Sequence, residues 1–232
     1  ALKRRDFVDY FFHQYTASNT VVVVAGNFQE SEIVDEIKKT FVDIRHEPPI
    51  RKKPALVEDQ KSPASEIEYK QTDQSHLVIG FRGYDASHPK RYTVEVLATL
   101  LGGGMSSRMF VEIRERLGYA YTVYSAHESY SNRGYLMTYA GVDHANVEKT
   151  IKAILGEYQK LRRDGVTKKE LKRVKDSIRG KTLINLEASN AVANFIGTEE
   201  VITGKPLTVE EVFAKIEAVT EEELYAVALE II

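Results

Sequence analysis

Cysteine and tryptophan are absent from the 232-residue chain, and proline occurs only six times. Without cysteine there is no disulfide framework and no thiolate metal site, which suits a reducing, cytoplasmic setting. No long hydrophobic run exists: the longest, Val21–Ala25, is far too short to span a bilayer. An excess of one charge sign is missing too. The 32 basic and 34 acidic residues leave a net charge of -2, so no global field favours nucleic acid or an anionic membrane. The first six residues are too polar for a signal peptide. What remains is an ordinary globular composition, 43% hydrophobic and 28% charged, enough for one large domain or one domain plus part of another. The chain opens on Ala1 rather than methionine and both ends fall close to recognisable elements, so a fragment of a longer polypeptide is expected.

Four of the six prolines crowd into residues 46–63 among Arg51, Lys52, Lys53 and Lys61. Neither helix nor central strand tolerates that pattern, so this stretch reads as an extended linker and the main boundary. Before it, apolar spacing predicts a helix over 2–15, a buried strand over 20–26 and a helix capped by Ser31. After it, 66–71 and 77–81 read as strands, and Pro89 opens a helix that Gly102, Gly103 and Gly104 stop. Ser106 or Ser107 starts the next helix. Two strands over 121–130 and 134–142 are joined by the turn Ser131-Asn132-Arg133. From Ala145 onward the pattern is helical: 147–163, 167 to about 203, 208–218, and 220 to the end. The expected class is α+β, with a mixed or antiparallel sheet packed against several helices. A weak internal repeat joins Leu2–Phe12 to Val219–Leu229 in polarity pattern.

The six histidines, His13, His46, His76, His88, His127 and His144, include no pair within helical reach. Neither H-x-x-E-H nor H-E-x-x-H occurs, so no metal site is expected within the chain. No G-x-S-x-G elbow is present either. The run Gly102-Gly103-Gly104-Met105-Ser106-Ser107 lacks the lysine of a phosphate loop. Its glycines and serines end one helix and begin another, yet they leave backbone N–H groups suited to an anionic or carbonyl oxygen. Gly102, Gly103, Gly104 and Ser106 are therefore candidate substrate-binding residues. The basic stretch over 162–181 carries acidic partners and no interleaved aromatics, and reads as a solvated helix face. Arg114 and Tyr121 lie on either side of Gly118, at a helix end and a strand start. They could converge on one cavity wall, a planar fork of donors beside a phenol, and hold a peptide carbonyl. Equally, Arg114 could serve the helix dipole and Tyr121 the core.

The segment Leu101-Gly-Gly-Gly-Met-Ser-Ser-Arg-Met-Phe-Val-Glu-Ile-Arg-Glu-Arg-Leu-Gly-Tyr-Ala-Tyr-Thr-Val-Tyr-Ser125 resembles the glycine loop, helix and strand of the M16 (pitrilysin/insulinase-type) metallopeptidases. Asn19–Asn27 is similar to the strand closing that family's zinc-bearing half, and Ile216–Leu224 to a helix near the end of the other half. The resemblance implies a half of the LuxS/MPP-like metallohydrolase type. It divides the chain into a closing helix-strand-helix of a preceding zinc half (1–45), a linker (46–63) and a non-zinc half (64–232), with that half's last strand and helix lying past Ile232. It implies that Arg114 and Tyr121 are catalytic, positioning substrate and transition state. Zinc would be bound by residues outside this chain, which alone would not hydrolyse peptides. The implied partners are the zinc-bearing half and a peptide substrate, with neither nucleic acid nor membrane, and a homodimer left open. Docking of Val21–Ala25 onto a second half's sheet, in its own or a neighbouring chain, is a further expectation. Two other functions stay open: a non-catalytic core-type subunit and a peptide-binding module.

Overall fold

The computed structural model describes residues 2–48 and 56–232. Part of the linker expected over 46–63, residues 49–55, lies outside the described residues. The chain divides into two compact units. One comprises Ala1–Pro63 with Leu186–Gly204, the other Ala64–Asn185 with Lys205–Ile232.

The second unit is built on a three-stranded antiparallel sheet, β1 (Ser75–Gly83), β2 (Ala120–Ser129) and β3 (Gly134–Val142), in the order β1-β3-β2. Hydrophobic residues alternate along the strands, so one sheet face is apolar and must be covered. Helix α3 (Arg91–Gly102) covers it with Val94, Val96, Leu97, Leu100 and Leu101, all buried. Gly102 lets this helix end approach β2 closely, because a Cβ there would overlap the Ser125 backbone nitrogen. Around α3 sit α4 (Val147–Asp164), α5 (Lys168–Asn185), α7 (Val209–Ala218) and α8 (Glu221–Ile231). Ile154, Tyr158 and Leu161 of α4, and Leu224, Val227 and Ala228 of α8, complete the core. Thr208 and Thr220 accept from the Glu211 and Glu223 amides, which fixes where α7 and α8 begin. The α+β class expected from the sequence is what the chain adopts.

The buried polar groups are chained together. The Ser125 and Thr138 hydroxyls are 2.6 Å apart, and Thr138 lies 2.5 Å from the Tyr158 hydroxyl. The Tyr158 ring meets Phe81 edge-on at 5.0 Å. Arg108 bridges to Glu170 at 3.0 Å and also donates to the Gly165 carbonyl. Burial alone would raise the Glu170 carboxyl, but hydrogen bonds from Arg108 and Thr167 outweigh it and hold it below the usual range.

The first unit carries α1 (Arg4–Gln14), a 3₁₀ turn (Ala17–Asn19), α2 (Glu30–Thr40) and α6 (Ser189–Thr203). Arg45 ties its start together. The guanidinium stacks over the Phe12 ring at 4.2 Å and donates to the Phe12 carbonyl, while the Arg45 carbonyl accepts from Ala17. No hydrophobic residue of this unit is buried among the described residues.

Four local expectations fail. Residues 20–26 and 66–71 carry strand patterns, yet neither joins a ladder with any described residue. A strand exists only through its neighbour, and apolar content alone does not supply one. The helix expected from 167 to 203 breaks at Leu186-Glu187-Ala188, into α5 and α6. These three residues are good helix formers, so the break is tertiary. Leu171 and Val174 of α5 belong to the second unit's core, whereas α6 belongs to the first unit. Helix α2 takes Gln29 rather than Ser31 as its N-cap, so it begins two residues earlier than expected and Ser31 lies inside it.

Candidate functional site

The sequence from Ser107 to Tyr121 folds as loop, helix, turn and strand, and two of these are irregular. The Ser107 hydroxyl and amide both donate to the Gly104 carbonyl, so Ser107 rather than Ser106 closes the glycine loop. The helix that follows is π-helical over Phe110–Arg116, with the Leu117 amide donating to the Glu112 carbonyl. Single π turns of this kind recur at functional sites. Ile113 is fully buried and anchors the turn. The next residue, Arg114, is exposed, with its guanidinium 4.9 Å from the Phe110 ring. Gly118 then takes φ +63°, a left-handed conformation that favours glycine, and turns the chain into β2.

Strand β2 opens with a bulge. Ala120 pairs with Val142 and Thr122 with Gly141, which leaves Tyr121 as the extra residue. Ala120 and Val123 are buried, while Tyr121 is 61% exposed beside the exposed Thr122. A bulge re-aims a side chain without breaking the ladder beyond it. Both candidate residues therefore stand at the surface on either side of Gly118, Arg114 on the π turn and Tyr121 on the bulge. Tyr121 is not a core residue. No hydrogen bond between the two side chains exists among the described residues.

Register extends this surface across the sheet. Tyr124 and Val78 both pair with Tyr139, and His76 and Thr122 both pair with Gly141. The Tyr124 and Tyr139 rings lie 5.0 Å apart, and the Tyr139 hydroxyl is 2.6 Å from His76 Nδ1. The result is a hydroxyl-bearing aromatic face beside Tyr121. Sequence reading found the strands but not this face, because the face depends on cross-strand register. The tyrosines at 121 and 124 lie three apart and those at 135 and 139 four apart, so no strict alternation along the sequence marks the face.

The glycine loop serves packing first. Gly102 is buried against β2, and the Gly103 amide donates to the Thr99 carbonyl. Lys181 donates to the Gly103 carbonyl. Gly104 is half-buried and Ser106 exposed.

The residues present do not fit a zinc ion. Among the described residues no three His, Cys, Asp or Glu side chains are grouped to hold a metal. The histidines are instead engaged singly: His13 with the Asp9 carbonyl, His76 with Tyr139, and His144 with Ser75 and the Thr72 carbonyl. His127 meets the Tyr84 carbonyl, and its burial pushes its pKa below the ordinary value. No described helix is long and apolar enough to cross a membrane.

The second unit is an α+β domain in which a small antiparallel sheet packs against helices and a glycine loop leads through a π turn into a bulged strand. The family described as the peptidase M16 inactive domain matches residues 1–178, and the chain belongs to the M16 peptidase family. It is 34% identical over 219 residues to YmxG, an uncharacterized zinc protease of Bacillus subtilis, covering 94% of this chain and 53% of that protein. A peptidase M16 inactive domain from Pseudomonas fluorescens superposes with TM-score 0.83 at 23% identity, covering all of this chain and 55% of that one. A protease from Helicobacter pylori gives TM-score 0.83 at 19% identity, covering 99% and 56%. At those identities the structural likeness concerns the fold alone. The chain spans about half the length of the curated relatives it matches.

Proposed function

We propose that this chain is the substrate-positioning half of a zinc-dependent endopeptidase, with Arg114 and Tyr121 as its contribution to a composite site. The observation that carries the reading is the pair's setting: a guanidinium on a π turn and a phenol on a β-bulge, both exposed and both flanking Gly118. Family membership, and relatives named zinc proteases at about twice this length, support it. Zinc would be held by a second half outside these residues. The chain's own residues bind and orient. Arg114 would present its donor fork to a carbonyl of an extended peptide, and the Tyr121 hydroxyl would donate to the oxygen on which negative charge grows. Gly104, half-buried, and Ser106, exposed, would meet the same peptide backbone from the loop. Residues 1–45 would belong with the zinc-bearing half; among the described residues of their unit no hydrophobic side chain is buried.

In the complete peptidase, Tyr121→Phe is expected to lower kcat by roughly 100- to 1,000-fold, as for loss of one oxyanion donor. KM should stay within about threefold, because the missing donor acts in the transition state. An unchanged kcat in a correctly folded variant overturns the assignment.

A further inference from the structure

Helices pack on one face of the second unit's sheet, where Leu136, Ala140 and Val123 are buried in the core. The residues that alternate with them point the other way. Register sorts this outer face into rows that cross β1, β3 and β2. Val78, Tyr139 and Tyr124 form one row, Gly80, Met137 and Ala126 the next, and Arg82, Tyr135 and Glu128 the third. The two rows of large side chains stand about 13 Å apart along the strands. Between them lie a glycine, an alanine and one flexible methionine, the floor of a recess. The wall nearer to Tyr121 is held in place. The Tyr124 and Tyr139 rings are 5.0 Å apart, and the Tyr139 hydroxyl lies 2.6 Å from His76 Nδ1. In the same row Val78 is 63% exposed and Tyr124 40%.

Gly80 supplies a second, independent observation. Its backbone is not left-handed. A Cβ built there would come no closer than 3.8 Å, to the Leu136 carbonyl oxygen, which is an ordinary contact. Neither conformation nor packing within the chain calls for glycine in the middle of β1, where it weakens the strand. A glycine so placed marks close approach by something from outside. We propose that the recess over Gly80 is a remote subsite for one large apolar side chain of the peptide substrate, an aromatic one above all. This rests on the reading of the chain as a substrate-positioning half and names what that half selects. The occupant is the peptide because the wall of the recess continues along β2 to Tyr121. Ala126 lies about 15 Å from Tyr121 along the strand, the span of four or five residues of extended peptide. The class of side chain follows from charge. Floor and near wall carry no carboxylate, lysine or arginine, and the far row carries one group of each sign, Arg82 and Glu128. Neither an acidic nor a basic side chain gains there, whereas a ring gains both apolar contact and the offset packing that tyrosines offer.

The test gives the complete peptidase a series of unstructured peptides in which one position at a time is Phe, Ala, Lys or Glu, and measures kcat/KM for each. Phe should exceed Ala by about 10- to 100-fold at one position roughly four or five residues from the cleaved bond, as for burial of one large apolar side chain. Lys and Glu should show no such gain. Gly80→Leu fills the recess and should bring the Phe-to-Ala ratio at that position within about threefold, with a thermal midpoint no lower than the parent's. Tyr124→Ala removes the wall instead and should lose the preference in the same way, which keeps the test decisive if Gly80→Leu does not fold. Tyr121→Phe should slow both peptides alike and leave the ratio intact, so the subsite can fall while the Arg114/Tyr121 assignment holds, and the reverse. Equal rates for Phe and Ala at every such remote position, an unchanged ratio in both Gly80→Leu and Tyr124→Ala, or a preference there for Lys or Glu each overturns the inference. A complete protein that cleaves no peptide overturns both the subsite and the function on which it rests.

Discussion

At the scale of single residues, the buried phenol of Tyr158 is the most constrained group in the second unit. Burial pushes its pKa up to about 12, although the Thr138 hydroxyl pulls the other way. The folded state thus holds its proton more tightly than the unfolded chain, whose tyrosines titrate near 10. Stability from this group is fully present below about pH 10 and lost as pH rises through about 12. Chemical denaturation from pH 9 to 12 should show a decline on the order of 2 kcal/mol from this residue. Tyr158→Phe should remove that decline while costing about 1 kcal/mol near neutrality for the hydrogen bond lost. An identical alkaline limb in parent and variant would refute the account. Residue identity made Arg114 and Tyr121 legible as candidates, because each flanks a glycine at a helix-strand junction. Their exposure was not legible. It follows from a π turn and a bulge, which depend on how Ile113 and the β2–β3 ladder fit the rest of the core.

At the scale of elements, most of the second unit could be read along the chain, since strands β2 and β3 and helices α3, α4, α7 and α8 each carry their own periodicity and caps. What could not be read was whichever element depends on another for its existence. Residues 20–26 and 66–71 have strand patterns without a ladder, and α5 and α6 separate where local propensity favours one helix. Register between α3 and β2 is likewise fixed by packing rather than propensity. Gly102 is its narrowest point, and Gly102→Ala should destabilise the fold by about 3 kcal/mol or more, because backbone rather than a movable side chain meets the new methyl group. A thermal midpoint within a few degrees of the parent would show that α3 can lift off β2 at little cost.

At the scale of the whole molecule, the two units differ in how they are held. The second has a continuous core running from Val94 to Ala228, while the first holds its helices without burying one hydrophobic side chain among the described residues. Local opening free energy follows burial. Amide exchange in α1, α2 and α6 should therefore run at least about 100-fold faster than in α3 and β3. Equal protection in both units of the isolated chain would contradict this. The bulge at Tyr121 carries a separate consequence. Ala120 already faces Val142 and Thr122 faces Gly141, so excising the tyrosine between them would zip the ladder into an unbroken register. Deleting one residue would thus remove the phenol and leave the sheet whole, so the scaffold and the proposed positioning role can be separated in a single variant.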